Sequence, residues 1–214
     1  MKHICSTILT ALILVLSLAR PVVGGSYEDA AAAYKIEDYA TALKLLRPLA
    51  EGGNASAQAR LGLMYDLGHG VAQNYPEAAK WYRSAAEQDH EVAQLFLGHL
   101  YHHGRGFPQN HSEAARWYAE AAERGNARAQ EYLGHFYVTG KGVPRDYAAA
   151  LKWFRLAANQ GNAESQFSIG LIYYQGRGVK TNFTEAAKWY QLAADQGESA
   201  AQLMLGNLYR TGEG

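Results

Sequence analysis

Five glutamines recur along the 214-residue chain at a constant interval of 36 residues, with no insertion between them: Gln58, Gln94, Gln130, Gln166 and Gln202. Glycine and tyrosine keep the same interval, in the columns Gly62, Gly98, Gly134, Gly170, Gly206 and Tyr65, Tyr101, Tyr137, Tyr173, Tyr209. Four tryptophans mark the second half of the units: Trp81, Trp117, Trp153 and Trp189. A fixed period of this length is typical of stacked repeats, in which each unit packs only on its neighbours.

Each unit is predicted to form two helices. The first spans residues 55–67, where four residues share one face by helical spacing: Ala57, Leu61, Met64 and Tyr65. The pair Gly68-x-Gly70 ends it, because glycine adopts positive φ at little cost. Asn74, with Glu77 three residues later, is an N-cap signal for a second helix over roughly residues 75–88. We expect the tryptophans in the core, and the glutamine amides bonded to backbone in a neighbouring loop.

These motifs resemble the Sel1-like repeat, a relative of the tetratricopeptide repeat, whose units read Ala-x-Ala-Gln-x-x-Leu-Gly-x-x-Tyr-x-x-Gly-x-Gly-Val and then Ala-x-x-Trp-Tyr-x-x-Ala-Ala-x-x-Gly. The resemblance implies an all-α, right-handed α-solenoid of stacked helix-turn-helix repeats that serves as a docking surface in exported or secretory-pathway proteins. It covers four full units and a first helix: residues 55–90, 91–126, 127–162, 163–198 and then 199–214. Residues 25–54 are expected to form a divergent helix pair that caps the solenoid.

The two ends of the sequence carry further expectations. Lys2 and His3 precede a mostly apolar run over residues 4–19, which has the length of a signal-peptide core and is shorter than the ~20 residues of a membrane span. We therefore expect residues 1–24 to be a signal peptide cleaved near Gly24, which makes the mature protein periplasmic or secreted. An uncleaved anchor is the alternative. At the other end, the last unit lacks its second helix, so we expect either a shortened product or pairing there with another chain.

Composition excludes several classes of function. The single cysteine, Cys5, lies in the segment expected to be removed, which rules out a disulfide framework or a cysteine metal site. The 20 basic and 20 acidic residues balance, so no nucleic-acid partner is expected. The sequence contains no Gly-x-Ser-x-Gly elbow and no phosphate loop. It also lacks the paired cysteines of a family branch linked to penicillin binding and hydrolysis, so we predict that the protein is not an enzyme.

The candidate binding residues occupy columns that vary between repeats and face outward. On the concave surface, which the first helices line, they form an aromatic and imidazole patch, the predicted partner-binding site: Phe96, His99, His102, His103, Tyr132, His135 and Tyr174. Rigid aromatic side chains are enriched at binding hot spots. The alternative, that these are scattered surface residues without a role, stays open. His99 and His103 have the i, i+4 spacing of metal ligands, with His135 one repeat away, but no carboxylate or cysteine shares their register. No metal or cofactor is predicted.

A second stripe lies between the paired glycines: His69, Arg105, Lys141 and Arg177. Aligned basic loops of this kind suit an acidic partner or an anionic polysaccharide, although such residues are often only solvated. The sequence therefore predicts an exported, non-catalytic scaffold that docks another protein of the cell envelope on its concave face, as an adaptor or regulator. The alternative is a protein that binds or scaffolds envelope polysaccharide or peptidoglycan machinery through the basic stripe and the exposed aromatic residues.

Overall fold

The computed structural model describes residues 25–213, so the expected signal peptide lies outside the described residues. Within that range the chain forms eleven α-helices and no strand. In chain order they are α1 (Tyr27–Lys35), α2 (Tyr39–Glu51), α3 (Ala55–Leu67), α4 (Tyr75–Ala86), α5 (Glu91–His103), α6 (His111–Glu123), α7 (Ala127–Thr139), α8 (Tyr147–Asn159), α9 (Ala163–Gln175), α10 (Phe183–Asp195) and α11 (Ser199–Thr211).

Each helix packs mainly against the helices before and after it in the chain, which produces an all-α repeat solenoid. The odd-numbered helices form one layer and the even-numbered helices the other, and α3 also contacts α5 within its own layer. We call the surface of the odd-numbered layer the first-helix face. It is the surface on which the sequence places the candidate binding patch.

Side-chain caps fix where the helices begin. Asn54 Oδ1 accepts the backbone N–H of Ala57 at 2.8 Å, and Asn74 Oδ1 accepts that of Glu77 at 3.0 Å. The first helix of the first full unit has its expected bounds, whereas the second ends at Ala86, two residues earlier than expected. The paired glycines end the first helices as predicted, with φ of 75° at Gly68 and 72° at Gly70.

The core ring of each unit is not the tryptophan but the residue after it. Tyr82, Tyr118, Phe154 and Tyr190 have no exposed surface. Trp117 is 6% exposed and belongs to the core, whereas the other three tryptophans are half-buried and pack against the core from its border, so the expected tryptophan core is only partly confirmed. The core ring packs on the glycine of the first helix: a Cβ added to Gly98 would lie 2.7 Å from the ring of Tyr118. The missing side chain leaves a slot that the ring fills.

The glutamine column joins each unit to the one before it. Gln58 Nε2 donates to the carbonyl of Ala50 at 3.0 Å, and Gln130 Nε2 does the same to Ala122 at 3.0 Å. The acceptors are carbonyls in the last turn of the preceding second helix, not in the loop that we expected. The last four carbonyls of a helix have no partner inside it, which makes them available to a side chain.

Candidate partner-docking face

Three rings form a continuous strip on the first-helix face across α5 and α7. The edge of His99 lies against Tyr132 with ring centroids 4.6 Å apart, and Phe96 lies 6.3 Å from His99. Two of the rings are stacked on core rings beneath them: Phe96 on Tyr82 at 5.4 Å and Tyr132 on Tyr118 at 5.2 Å. We call Phe96, His99 and Tyr132 the ring strip. Because the core holds it from below, its side chains are fixed before any partner arrives.

Two more histidines of α5 extend the strip toward the loop that follows. The ring of His102 lies 4.6 Å from that of His103 and 5.1 Å from Phe136. His102 also makes an edge contact at 5.2 Å with His111, the first residue of α6. His111 was not among the predicted site residues. The sequence feature that could have identified His111 is its repeat column, in which the other units have aromatic rings: Tyr75, Tyr147 and Phe183.

Two histidines of this cluster, His99 and His102, are held in the neutral form at neutral pH. Burial lowers the pKa of His99 to about 4, helped by the positive charge that His103, His102, Arg128 and Arg105 can carry. Burial likewise lowers the pKa of His102 to about 4. A neutral imidazole costs less to desolvate than an imidazolium, so this part of the face can be covered by a partner without removing a charge from water.

The two remaining residues of the predicted patch lie apart from the ring strip. His135 packs against Phe154 with centroids 5.0 Å apart, and its Nε2 lies 3.9 Å from Glu164 Oε1. Burial lowers the pKa of His135 and raises that of Glu164, so both shifts oppose the charged forms that an ion pair between them would need. Tyr174 packs on Phe183 one repeat further along, at 5.3 Å. The predicted patch therefore divides into a central cluster and two separate positions.

The imidazoles do not form a metal centre in the described part of the chain. Among residues 25–213, no three side chains of histidine, cysteine, aspartate or glutamate are placed to hold one ion. His99 and His103 instead stack on each other with centroids 6.0 Å apart.

A groove of about 260 Å³ opens on the first-helix face beside the ring strip, between α1, α3 and α5. Phe96 belongs to both features. The other lining residues are Tyr27, Ser56, Ala59, Arg60, Leu63, His90 and Val92. Sequence reasoning did not select this groove, because one of its walls comes from Tyr27 in the divergent α1, which has no counterpart in the repeat pattern.

A family model for the Sel1 repeat matches residues 55–90, 92–126, 127–162, 163–198 and 199–214. The chain belongs to the Sel1 repeat family. Sel1 repeat proteins are generally protein–protein interaction scaffolds and typically have no catalytic activity. No curated protein shows significant similarity to the chain.

Solved structures agree with this assignment. A Sel1 repeat protein from Oxalobacter formigenes has 37% sequence identity and a TM-score of 0.84, over 88% of this chain and 75% of that one. The uropathogenic Escherichia coli protein c5321, described as a protective antigen with an SLR fold, has 33% identity and a TM-score of 0.81, over 89% of this chain and 45% of that one. An immunity protein from Pseudomonas aeruginosa, Pa5087, shares the fold at 22% identity and a TM-score of 0.52, over 85% and 74% of the two chains.

The basic stripe of this Sel1 chain contains three exposed cations instead of four basic side chains. His69 packs inside the N-terminal helix pair, stacked on Tyr39 at 4.4 Å, with its Nδ1 2.9 Å from the hydroxyl of Tyr34. The other three side chains are exposed on successive loops: Arg105, Lys141 and Arg177. Each of these loops lies against the start of the preceding second helix, which aligns the three cations along one edge of the solenoid.

No helix within residues 25–213 of this Sel1 chain has both the length and the apolar character that a membrane span requires.

Proposed function

We propose that this Sel1 repeat chain is an exported, non-catalytic scaffold that docks a partner protein of the cell envelope on its first-helix face. The observation that carries the proposal is the ring strip of Phe96, His99 and Tyr132, which is contiguous, neutral and half-buried. Side chains already fixed by core rings lose little conformational freedom when a partner covers them, which favours binding.

Export is part of the proposal. It is supported by the apolar run over residues 4–19 behind Lys2 and His3, which has the composition of a signal peptide. The 33% identical E. coli protein is described as a protective antigen, a role consistent with exposure outside the cytoplasm. These two observations support the proposal that the mature protein is periplasmic or secreted.

The test is affinity capture from an envelope extract on the immobilised protein, eluted with a salt gradient. We expect the wild type to retain a protein at high salt and the Phe96→Ala/Tyr132→Ala variant to lose it. Leu156→Ala/Leu192→Ala is a matched control, because these leucines are 40% and 47% exposed and lie on second helices. It removes a similar kind of apolar surface outside the first-helix face and should leave capture unchanged.

Phe96 and Tyr132 also contact core rings, so the variant must be shown to fold. Circular dichroism melting provides that check, and Val92→Glu provides a second variant on the same face, since Val92 is 37% exposed. Capture that survives both variants would contradict docking at the ring strip.

The polysaccharide alternative is favoured by one observation, the alignment of Arg105, Lys141 and Arg177 along one edge. It predicts that the same extract yields glycan, released at low salt because exposed charges are screened. Changing the three cations to serine would abolish that capture, whereas the Phe96→Ala/Tyr132→Ala variant would leave it intact.

A further inference from the structure

One cation at the N-terminal end of the first-helix face is partly buried and lacks an acidic partner. Arg60 is half-buried in α3, with its guanidinium 4.9 Å above the ring of Tyr34. Its Nη2 donates a single long hydrogen bond, 3.5 Å, to the hydroxyl of Tyr27. No carboxylate of residues 25–213 lies within ion-pair distance of Arg60.

This arrangement leaves most of the hydrogen-bonding capacity of Arg60 unused. A guanidinium carries five N–H donors in a planar fork that matches a carboxylate. Partial burial removes water from such donors without replacing it, so an anion that binds there recovers interactions that the free protein lacks.

The surroundings of Arg60 determine what kind of anion can approach. The groove beside it is lined by four apolar side chains: Ala59, Leu63, Val92 and Phe96. Its volume, about 260 Å³, is below the ~300 to 1,000 Å³ of pockets that hold whole small-molecule ligands. The groove therefore suits a side chain presented by a larger partner better than a free metabolite.

His90 also lines this groove. Its Nδ1 accepts the N–H of Ala93 at 3.3 Å, as the N-cap of α5. Burial lowers the pKa of His90, which favours the neutral ring. A neutral ring that accepts through Nδ1 carries its proton on Nε2, where it is a donor.

Charges of both signs lie near the groove, since the carboxylate of Glu91 opposes the lowering of the pKa of His90 by burial. Arg105 and Arg128 both lower the pKa of His99, which shows that their positive charge reaches the ring strip. The neighbouring carboxyl of Asp66 is buried in the core and accepts a hydrogen bond from the hydroxyl of Tyr82 at 3.3 Å. No ion pair joins Arg60 to Asp66 or Glu91, so its positive charge remains available to a negatively charged partner.

We propose that the groove between α1, α3 and α5 binds an acidic–apolar segment of a partner protein. An apolar side chain of the segment fills the space between Leu63, Val92 and Phe96. The side-chain carboxylate of a neighbouring Asp or Glu pairs with the guanidinium of Arg60. The inference rests on the proposed function, because it names the chemistry that the docked partner presents.

The experiment is a selection of phage-displayed random peptides on the purified protein, with the peptides fused at their C-termini so that only side-chain carboxylates are available. We expect enriched sequences to combine a large apolar residue with a nearby Asp or Glu. A labelled synthetic copy of one peptide is then titrated by fluorescence anisotropy. Arg60→Gln should weaken its binding about tenfold or more, the contribution of one charge-assisted hydrogen bond.

Two further changes make the assignment specific. Replacing the acidic residue of the peptide by its amide should cause the same loss, and combining both changes should cost little more than either alone. Arg128→Gln is the matched control, since it removes an equal charge from an exposed site on α7 outside the groove and should change affinity less than about twofold. If Arg60→Gln does not fold, Val92→Trp blocks the groove from an exposed position and should also abolish binding.

Three results would overturn the inference: no enriched peptide, enriched peptides without an acidic bias, or an acidic peptide that binds wild type and Arg60→Gln equally. The proposed function fails separately. If envelope capture is lost on Phe96→Ala/Tyr132→Ala but unaffected by Arg60→Gln, docking on the face stands and only the acidic–apolar partner is wrong. If capture survives the ring-strip variants, the proposed function is wrong whatever the peptides show.

Discussion

Four of the five glycines in the first-helix column are each covered by a ring of the following helix: Gly62, Gly98, Gly134 and Gly170. A Cβ on Gly98 would lie 2.7 Å from Cδ1 and Cε1 of Tyr118, closer than real Cβ contacts allow. We expect Gly98→Ala to lower the free energy of unfolding by about 1 to 3 kcal/mol, the usual cost of overpacking, as measured by urea denaturation.

Gly206 is the matched control, because nothing lies within 4 Å of the position of an added Cβ. Alanine is the better helix former, so Gly206→Ala should raise the free energy of unfolding by about 0.5 to 1 kcal/mol. Equal effects of the two substitutions on the free energy of unfolding would show that contact with the ring does not explain the glycine column.

The sequence predicts the column of glycines in the first helices, but it does not predict which aromatic ring of the second helix packs on each glycine. Trp81 and Tyr82 are neighbours on a helix, only 100° apart, so both border the apolar stripe and periodicity alone does not choose between them. The choice depends on a slot in another helix, which no local pattern describes. His69 illustrates the same limit: its position in a loop indicated an exposed base, but Tyr34 and Tyr39 from the preceding helix pair enclose it.

We call the hydrogen bonds that a column glutamine makes to the preceding unit the glutamine joint. In the second full unit this joint lacks one hydrogen bond that three of the others have. Gln130 Oε1 accepts a hydrogen bond from Gln160 at 2.9 Å, and equivalent bonds join Gln88 to Gln58 and Gln196 to Gln166. In the same column as Gln160, Arg124 pairs with Asp89 and Glu120 instead, and Gln94 Oε1 remains buried without a protein partner among the described residues.

The exchange of these two residue types tests the joint. Arg124→Gln should supply the missing donor and raise the free energy of unfolding by about 1 kcal/mol, since the surface ion pairs it removes contribute little. Gln160→Arg should have the opposite sign, because it removes the donor to Gln130. Thermal or urea unfolding measures both stability changes. If both variants change stability in the same direction, the proposed role of the Gln160-type donor is wrong.

The helices themselves were largely predictable, because their signals are local. Asn54 and Asn74 begin α3 and α4 where the capping pattern indicated. The groove was not predictable for the opposite reason: Tyr27, Arg60 and Phe96 come from three helices, and their proximity depends on how α1 packs. Arg60 shares its repeat column with Phe96 and Tyr132, but only the structure shows that no carboxylate of residues 25–213 pairs with it.

Across the whole molecule, the histidines are concentrated in the middle. Four of the eight in the chain form the central cluster between α5, α6 and α7: His99, His102, His103 and His111. The folded protein holds His99 and His102 neutral, with pKa values of about 4, whereas the unfolded chain protonates them near pH 6.5. The folded state therefore binds fewer protons over that interval.

Stability should consequently fall as the pH decreases from about 6.5 toward 4, because the unfolded state gains protons first. The cationic neighbours Arg105, Arg128 and Lys141 act in the same direction. We expect His99→Leu/His102→Val, which uses residue types found in the same two columns, to flatten this dependence in urea denaturation at a series of pH values. An unchanged slope would assign the acid sensitivity to other groups.

The joint between units also bears on how the length of such a protein can change. In each of the three complete joints, the column glutamine donates to a carbonyl eight residues before it in the sequence. Its own amide oxygen accepts a hydrogen bond from a second glutamine thirty residues after it. A gene that lost or duplicated one period of 36 codons would bring an equivalent glutamine to an equivalent carbonyl. Such a change lengthens or shortens the binding surface while the hydrogen bonds at the new junction remain those already present.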